Sequence, residues 1–284
     1  MTTDRITVPL IRARKGAGKI TALTAYDAPT ARLIDGAGID IVLVGDSVGN
    51  VVLGYENTLP VSMDEMLHHL KAVRRGVSRA LVVADMPFLS YQTGADDAVR
   101  NAGLFVKAGA DAVKLEGGLE IAEMVKRISE IGIPVMGHVG LTPQKVNQYG
   151  GFKAQGRNTQ AALEVFQGAM AVEKAGAFSI VLESIPYSVA ALIAKACLVP
   201  VIGIGAGPDC DGQVLVFNDL VGLSVAPPKF AKAYANGLEL FAQAVKSYAR
   251  EVVQGSFPAS TGGPEIPASE LEELTRITRK NTGK

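Results

Sequence analysis

Five acidic residues stand where short apolar runs end: Asp27, Asp46, Asp85, Glu116 and Glu183. Singly, each reads as well as a helix N-cap or solvated loop acid, because acids routinely open the loop between a strand and a helix. As a set they read differently, since carboxylates directed at one place repel each other and call for a cation. Oxygen donors without a His or Cys cluster favour Mg2+ or another hard divalent ion over zinc. Lys114 lies two residues before Glu116 on the same apolar run, so the two side chains share a face. It reads as a salt-bridged core lysine, a cation for a substrate carboxylate, or a Schiff-base nucleophile. Flanking acids would hold it protonated, which favours the cation. His138, in the Gly-rich stretch GHVGLTPQ (137–144), is either structural or a residue that orients substrate. His68 and His69 fall on a helical stretch and read as surface or packing residues.

These residues need elements to bring them together. Runs at 19–27, 39–47, 79–88, 111–118, 133–143, 178–186 and 199–207 are almost continuously apolar, as in parallel strands buried on both faces. GLSV (222–225) is a weak eighth. Helical segments alternate with them. Ser62 and Glu65 form a capping box ahead of an apolar face of Met63, Met66, Leu67, Leu70 and Val73. The stretches 159–176 and 188–197 are helical in the same way. Alternating strands and helices imply a parallel sheet with right-handed crossovers. Polar residues at nearly every strand end favour a closed barrel over an open sheet, because in a barrel those ends meet at one mouth. The expected fold is a single-domain (β/α)8 TIM barrel over 1–254. A polar tail over 255–284 carries a short charged helix. GIGAG (203–207) has the look of a phosphate loop but lacks the dinucleotide spacing, so close backbone packing is the better reading.

Composition narrows the function. The chain has 284 residues, 48% of them hydrophobic, with Lys plus Arg 28 and Asp plus Glu 28. Zero net charge argues against nucleic acid or an anionic membrane as partner and for a small molecule in a local pocket. Cys197 and Cys210 fit no zinc spacing and suit a reducing compartment. No apolar run approaches a membrane span, and the N-terminal residues do not resemble a signal peptide. A soluble, cytoplasmic enzyme is expected.

Several stretches together resemble the ketopantoate hydroxymethyltransferase family. They are TAYD (24–27), VGDSVGNVVLGYENTLPVSMDEM (44–66), ADMPF (84–88), NAGLFVKAGADAVKLEGG (101–118), GHVGLTPQ (137–144), GGFKAQGR (150–157), VLESIP (181–186), VIGIGAG (201–207) and PKF (228–230). The resemblance implies Asp46, Asp85 and Glu116 as ligands of one Mg2+ per subunit. It further implies Asp46, Ser47, Asp85 and Lys114 as contacts of the 2-oxo acid, and Glu183 as general base. It also implies 3-methyl-2-oxobutanoate as substrate, 5,10-methylenetetrahydrofolate as one-carbon donor and a homodecamer. Asn218 departs from the pattern, standing where many relatives have histidine, as do SVAPPKF (224–230) and the tail after Pro258.

The residue types suit that chemistry. Removing a proton from the carbon next to a ketone forms an enolate, which a metal on the keto oxygen stabilises. Glu183 would take the proton, Lys114 would pair with the substrate carboxylate, and His138 would orient the substrate. Rival readings are a phosphoenolpyruvate mutase or isocitrate lyase type barrel, a Schiff-base aldolase acting through Lys114, and a non-catalytic binding barrel. Asp27 keeps a capping or supporting role.

Overall fold

The apolar runs become eight strands: β1 (Ile20–Thr24), β2 (Ile41–Val44), β3 (Leu81–Asp85), β4 (Ala112–Glu116), β5 (Val135–Gly140), β6 (Ser179–Glu183), β7 (Val201–Ile204) and β8 (Gly212–Leu215). All neighbours are parallel, and β1 pairs with β8 to close the barrel in sequence order. This is the expected (β/α)8 TIM barrel. The structure is a computed structural model that describes residues 5–259 and 263–282. It comprises two compact units, Met1–Ala235 and Asn236–Lys284.

The eighth strand corrects the sequence reading. GLSV (222–225) is turn and irregular chain, and the strand is GQVL ten residues earlier. Its apolar run is broken by the exposed Gln213, and it opens on a glycine, so it lacks the signal of a doubly buried strand. Tertiary pairing makes it a strand, with Gly212 in register with Ile20 on one side and Ile202 on the other. A side chain there is excluded, because a Cβ would lie 2.4 Å from the Ile20 carbonyl oxygen.

Strand parity divides the core in two. Ile41, Leu43, Leu81, Val83, Ala112 and Met136 fill the barrel interior, where Ile6 and Ile11 join them. Val42, Val82, Val113, Val135 and Ile180, one residue out of phase, pack outward among the helices. The helix Met63–Gly76 shows how those helices attach. Ser62 Oγ accepts from the Glu65 N–H, the Glu65 carboxylate accepts from the Ser62 N–H, and Met66, Leu70 and Val73 are buried. In GIGAG, Gly205 has φ +62° and the Phe230 ring lies 2.6 Å from where its Cβ would be. That glycine serves close packing, as expected.

The second unit contains the helix Gly237–Val253, capped by the Asn236 side chain, and the helix Ala268–Thr282. The latter is the charged tail helix read from the sequence. No helix among the described residues is long and apolar enough to cross a membrane.

Candidate active site

The inward-facing series of each strand changes character at the top. Leu81 and Val83 lead to Asp85, Ala112 to Lys114 and Glu116, Met136 to His138, and Val181 to Glu183. Register then sets neighbours: Asp85 beside Lys114, Glu116 beside His138, and Glu183 beside Gly140. An apolar barrel interior thus carries a polar layer at its C-terminal mouth. Asp46 joins that layer from just past β2. There Gly45 leaves the room, since a Cβ would lie 2.7 Å from Ser47 Oγ and 3.6 Å from Asp85 Oδ2.

Asp46, Asp85, Lys114, Glu116 and His138 are all buried, between 2% and 5% exposed. Lys114 Nζ is 3.0 Å from Asp85 Oδ1, 4.0 Å from Glu116 Oε1 and 3.2 Å from His138 Nδ1. His138 continues the chain of contacts, with Nδ1 3.4 Å from Glu116 Oε1 and Nε2 3.2 Å from Glu183 Oε2. Asp85 Oδ2 accepts from the Asp46 N–H at 3.1 Å, and Ser47 Oγ pairs with the Tyr26 hydroxyl at 2.8 Å. The expected site residues Asp46, Ser47, Asp85, Lys114, Glu116, His138 and Glu183 therefore all meet at one mouth. Asp27 does not: it caps the helix Ala28–Gly36 by accepting from the Thr30 N–H. His69 packs, its Nδ1 2.7 Å from the Tyr26 carbonyl oxygen.

Electrostatics follow from this crowding. Burial, then Glu116 and Asp85, push the Asp46 carboxyl well above the usual range. Burial also raises Asp85, although the Lys114 ammonium opposes it. Burial would lower Lys114, but Asp85, Glu116 and Asp46 outweigh it and keep the ammonium charged. For His138, burial and Lys114 oppose protonation; Glu116 and Glu183 prevail and bring its pKa to about 9. Glu116 is lowered despite burial, by His138, Lys114 and the Gln144 N–H.

Four carboxyl groups thus meet two basic ones, and the crowding that raises Asp46 and Asp85 is of the kind a divalent cation relieves. Among the described residues, no three His, Cys, Asp or Glu side chains stand as a finished metal cage. Each of the three carboxylates is oriented by a neutral donor: Glu116 Oε2 accepts from the Gln144 N–H at 3.1 Å, Asp46 Oδ2 from Gln144 Nε2 at 2.9 Å and Asp85 Oδ2 from the Asp46 N–H. The all-oxygen donor set and the crowding of carboxyl groups fit a hard cation such as Mg2+.

Two residues at the mouth escaped the sequence reading. Gln144 ends the motif GHVGLTPQ and touches Asp46 and Glu116. Tyr91 is buried with its hydroxyl against both the N–H and the carbonyl of Glu116. Neither carries charge, so neither stood out among strand-end acids. Their only signal was position, in the loops that follow β5 and β3.

A profile of the family described as ketopantoate hydroxymethyltransferase matches residues 5–260. The chain belongs to the ketopantoate hydroxymethyltransferase family. Among its relatives, the 3-methyl-2-oxobutanoate hydroxymethyltransferase of Acetivibrio thermocellus is 53% identical, over 95% of this chain and 96% of that protein. The enzyme of the same name from Syntrophobacter fumaroxidans is 55% identical, over 95% and 98%. Solved structures of other proteins share the fold. A phosphonopyruvate hydrolase complexed with oxalate and Mg++ superposes with a TM-score of 0.58 at 18% identity, covering 99% of this chain and 98% of that one. A 2,3-dimethylmalate lyase, described as a PEP mutase/isocitrate lyase superfamily member, gives 0.55 at 14% identity, covering 96% and 98%. At such identities the likeness concerns the fold alone. The hydroxymethyltransferase family therefore covers this mouth in sequence, while the phosphonopyruvate hydrolase and the dimethylmalate lyase share only its frame.

Proposed function

We propose that this chain transfers a hydroxymethyl group to 3-methyl-2-oxobutanoate, with 5,10-methylenetetrahydrofolate and water as co-substrates, giving 2-dehydropantoate and tetrahydrofolate. The observation that carries the reading is the run Asp85–Lys114–His138–Glu183, buried up to His138, which joins a fixed cation to a partly exposed carboxylate base across one barrel mouth. Lys114 binds the carboxylate of the 2-oxo acid. Asp46 and Ser47 border the same space, and Ser47 is held by Tyr26. Glu183 removes the proton from C3, the carbon next to the ketone, and the resulting nucleophile adds to the donated carbon. His138 sets the Glu183 carboxylate on one side and Glu116 on the other. Asp46 and Asp85, supported by Glu116, would hold one Mg2+, which supplies Lewis-acid stabilisation of charge on the keto oxygen. Cytoplasmic location, a homodecameric assembly and a place in pantothenate biosynthesis belong to the same reading.

The test is exchange of the C3 proton of 3-methyl-2-oxobutanoate in deuterated water, followed by NMR. Wild-type protein is expected to exchange it with Mg2+ present, and Glu183→Gln to abolish exchange. Absence of exchange by wild type, with or without metal and folate, would sink the proposal. Borohydride trapping of substrate on Lys114, with activity surviving EDTA, would establish the Schiff-base route instead.

A further inference from the structure

Gln144 is an uncharged side chain buried in the most highly charged part of the molecule, only 6% exposed. Its amide is completely used. Nε2 donates to Asp46 Oδ2 at 2.9 Å and to the Met86 carbonyl at 3.0 Å. Oε1 accepts from Gln92 Nε2 at 2.9 Å and faces the Tyr91 hydroxyl at 2.8 Å. The backbone N–H of the same residue donates to Glu116 Oε2 at 3.1 Å.

One of these contacts settles the rest. A backbone carbonyl can only accept, so the amide nitrogen must face Met86, and Asp46 then meets a donor as well. A single residue from the loop after β5 therefore tethers carboxylates that arrive from β2 and β4. It does so with neutral donors. A lysine or arginine here would satisfy the same oxygens but cancel the negative charge that a divalent cation needs, whereas an amide fixes the oxygens and leaves the charge.

We propose that Gln144 is a positioning residue that holds Asp46 and Glu116 in the arrangement receiving the divalent cation, with Tyr91 and Gln92 orienting its amide. This rests on the metal reading given above. Ligand-orienting partners of this kind typically contribute 10–100-fold in metal affinity.

The test uses Mn2+ as probe, titrated into the full chain without substrates, with free Mn2+ read by electron paramagnetic resonance. Gln144→Met, which keeps length and volume, and Gln144→Leu are each expected to weaken Mn2+ binding about 10–100-fold. A purely structural role would lower the melting temperature of the metal-free protein without moving the affinity of the folded variant. A folded variant that binds Mn2+ within about threefold of wild type therefore overturns the proposal, being well short of that range. Should both substitutions prevent folding, Gln92→Met removes a donor to the amide oxygen from an exposed position that does not touch Asp46 or Glu116; weaker Mn2+ binding supports the role, and unchanged binding overturns it. Wild-type protein that binds no Mn2+ sinks the metal reading along with this one. Wild-type binding that the variants preserve sinks only the role of Gln144.

Discussion

Lys114 shows what burial does to a single residue at this mouth. An ammonium group this deep keeps its proton only because Asp85 stands 3.0 Å away and Glu116 and Asp46 add to the field. That charge is then available, already desolvated, for the carboxylate of a 2-oxo acid. Lys114→Met is expected to raise KM for 3-methyl-2-oxobutanoate about 10–100-fold, the worth of a hydrogen bond to a charged group, with a smaller change in kcat. Steady-state kinetics decide this: an unchanged KM would remove Lys114 from substrate binding. The same substitution leaves Asp85 and Glu116 with less compensation, so the metal-free variant should also melt at a lower temperature.

At the scale of elements, the mouth depends on helices and strands meeting in the right phase, and buried carboxylates fasten some of those joints. Asp35, near the end of the helix Ala28–Gly36, receives the N–H groups of Ser78, Arg79 and Ala80, which lead into β3, together with the Ser78 hydroxyl. Burial alone would raise its pKa, but these donors outweigh burial and lower it. A carboxylate lowered on folding stabilises the protein fully above its unfolded pKa of about 3.9, and this contribution fades as pH falls through the lower folded value. Asp35→Asn keeps the shape but offers one acceptor oxygen in place of two. The variant is expected to lose about 1–3 kcal/mol at neutral pH in urea unfolding, with the deficit narrowing in strong acid. A deficit that stays constant down to pH 2 would show that ionisation of Asp35 contributes nothing. At the other end of the sheet, Gly140 at φ +98° lets the Glu183 backbone approach, for a Cβ would lie 2.4 Å from the Glu183 carbonyl oxygen. The loop after β5 therefore sets the base in place as well as supplying Gln144.

For the whole molecule, the proposed homodecamer makes a direct prediction. Light scattering coupled to size exclusion should return a mass ten times that of the chain, and a monomeric mass at micromolar concentration would dismiss that assembly. The closed barrel supplies the frame in which strand-end residues from β2 to β6 reach one another.

Much of this was legible in the residues themselves. Apolar runs without alternation named seven of the strands, because burial on both faces leaves a local composition that needs no partner to be read. The strand-end acids, Lys114 and His138 were legible for a related reason: a charged group at the end of such a run is anomalous wherever the chain goes. β8 was not legible, since Gly212–Leu215 is a strand only by virtue of β1 and β7 on either side. Gln144 and Tyr91 were not, since an amide and a phenol acquire a role only from what lies within 3 Å of them. The choice between a capping and a supporting role for Asp27 also waited for the fold, because an N-cap and a site carboxylate have the same local sequence. Charge and hydrophobic pattern are properties of the chain; register, closure and hydrogen-bond partnership are properties of its neighbours, and only the tertiary structure provides those.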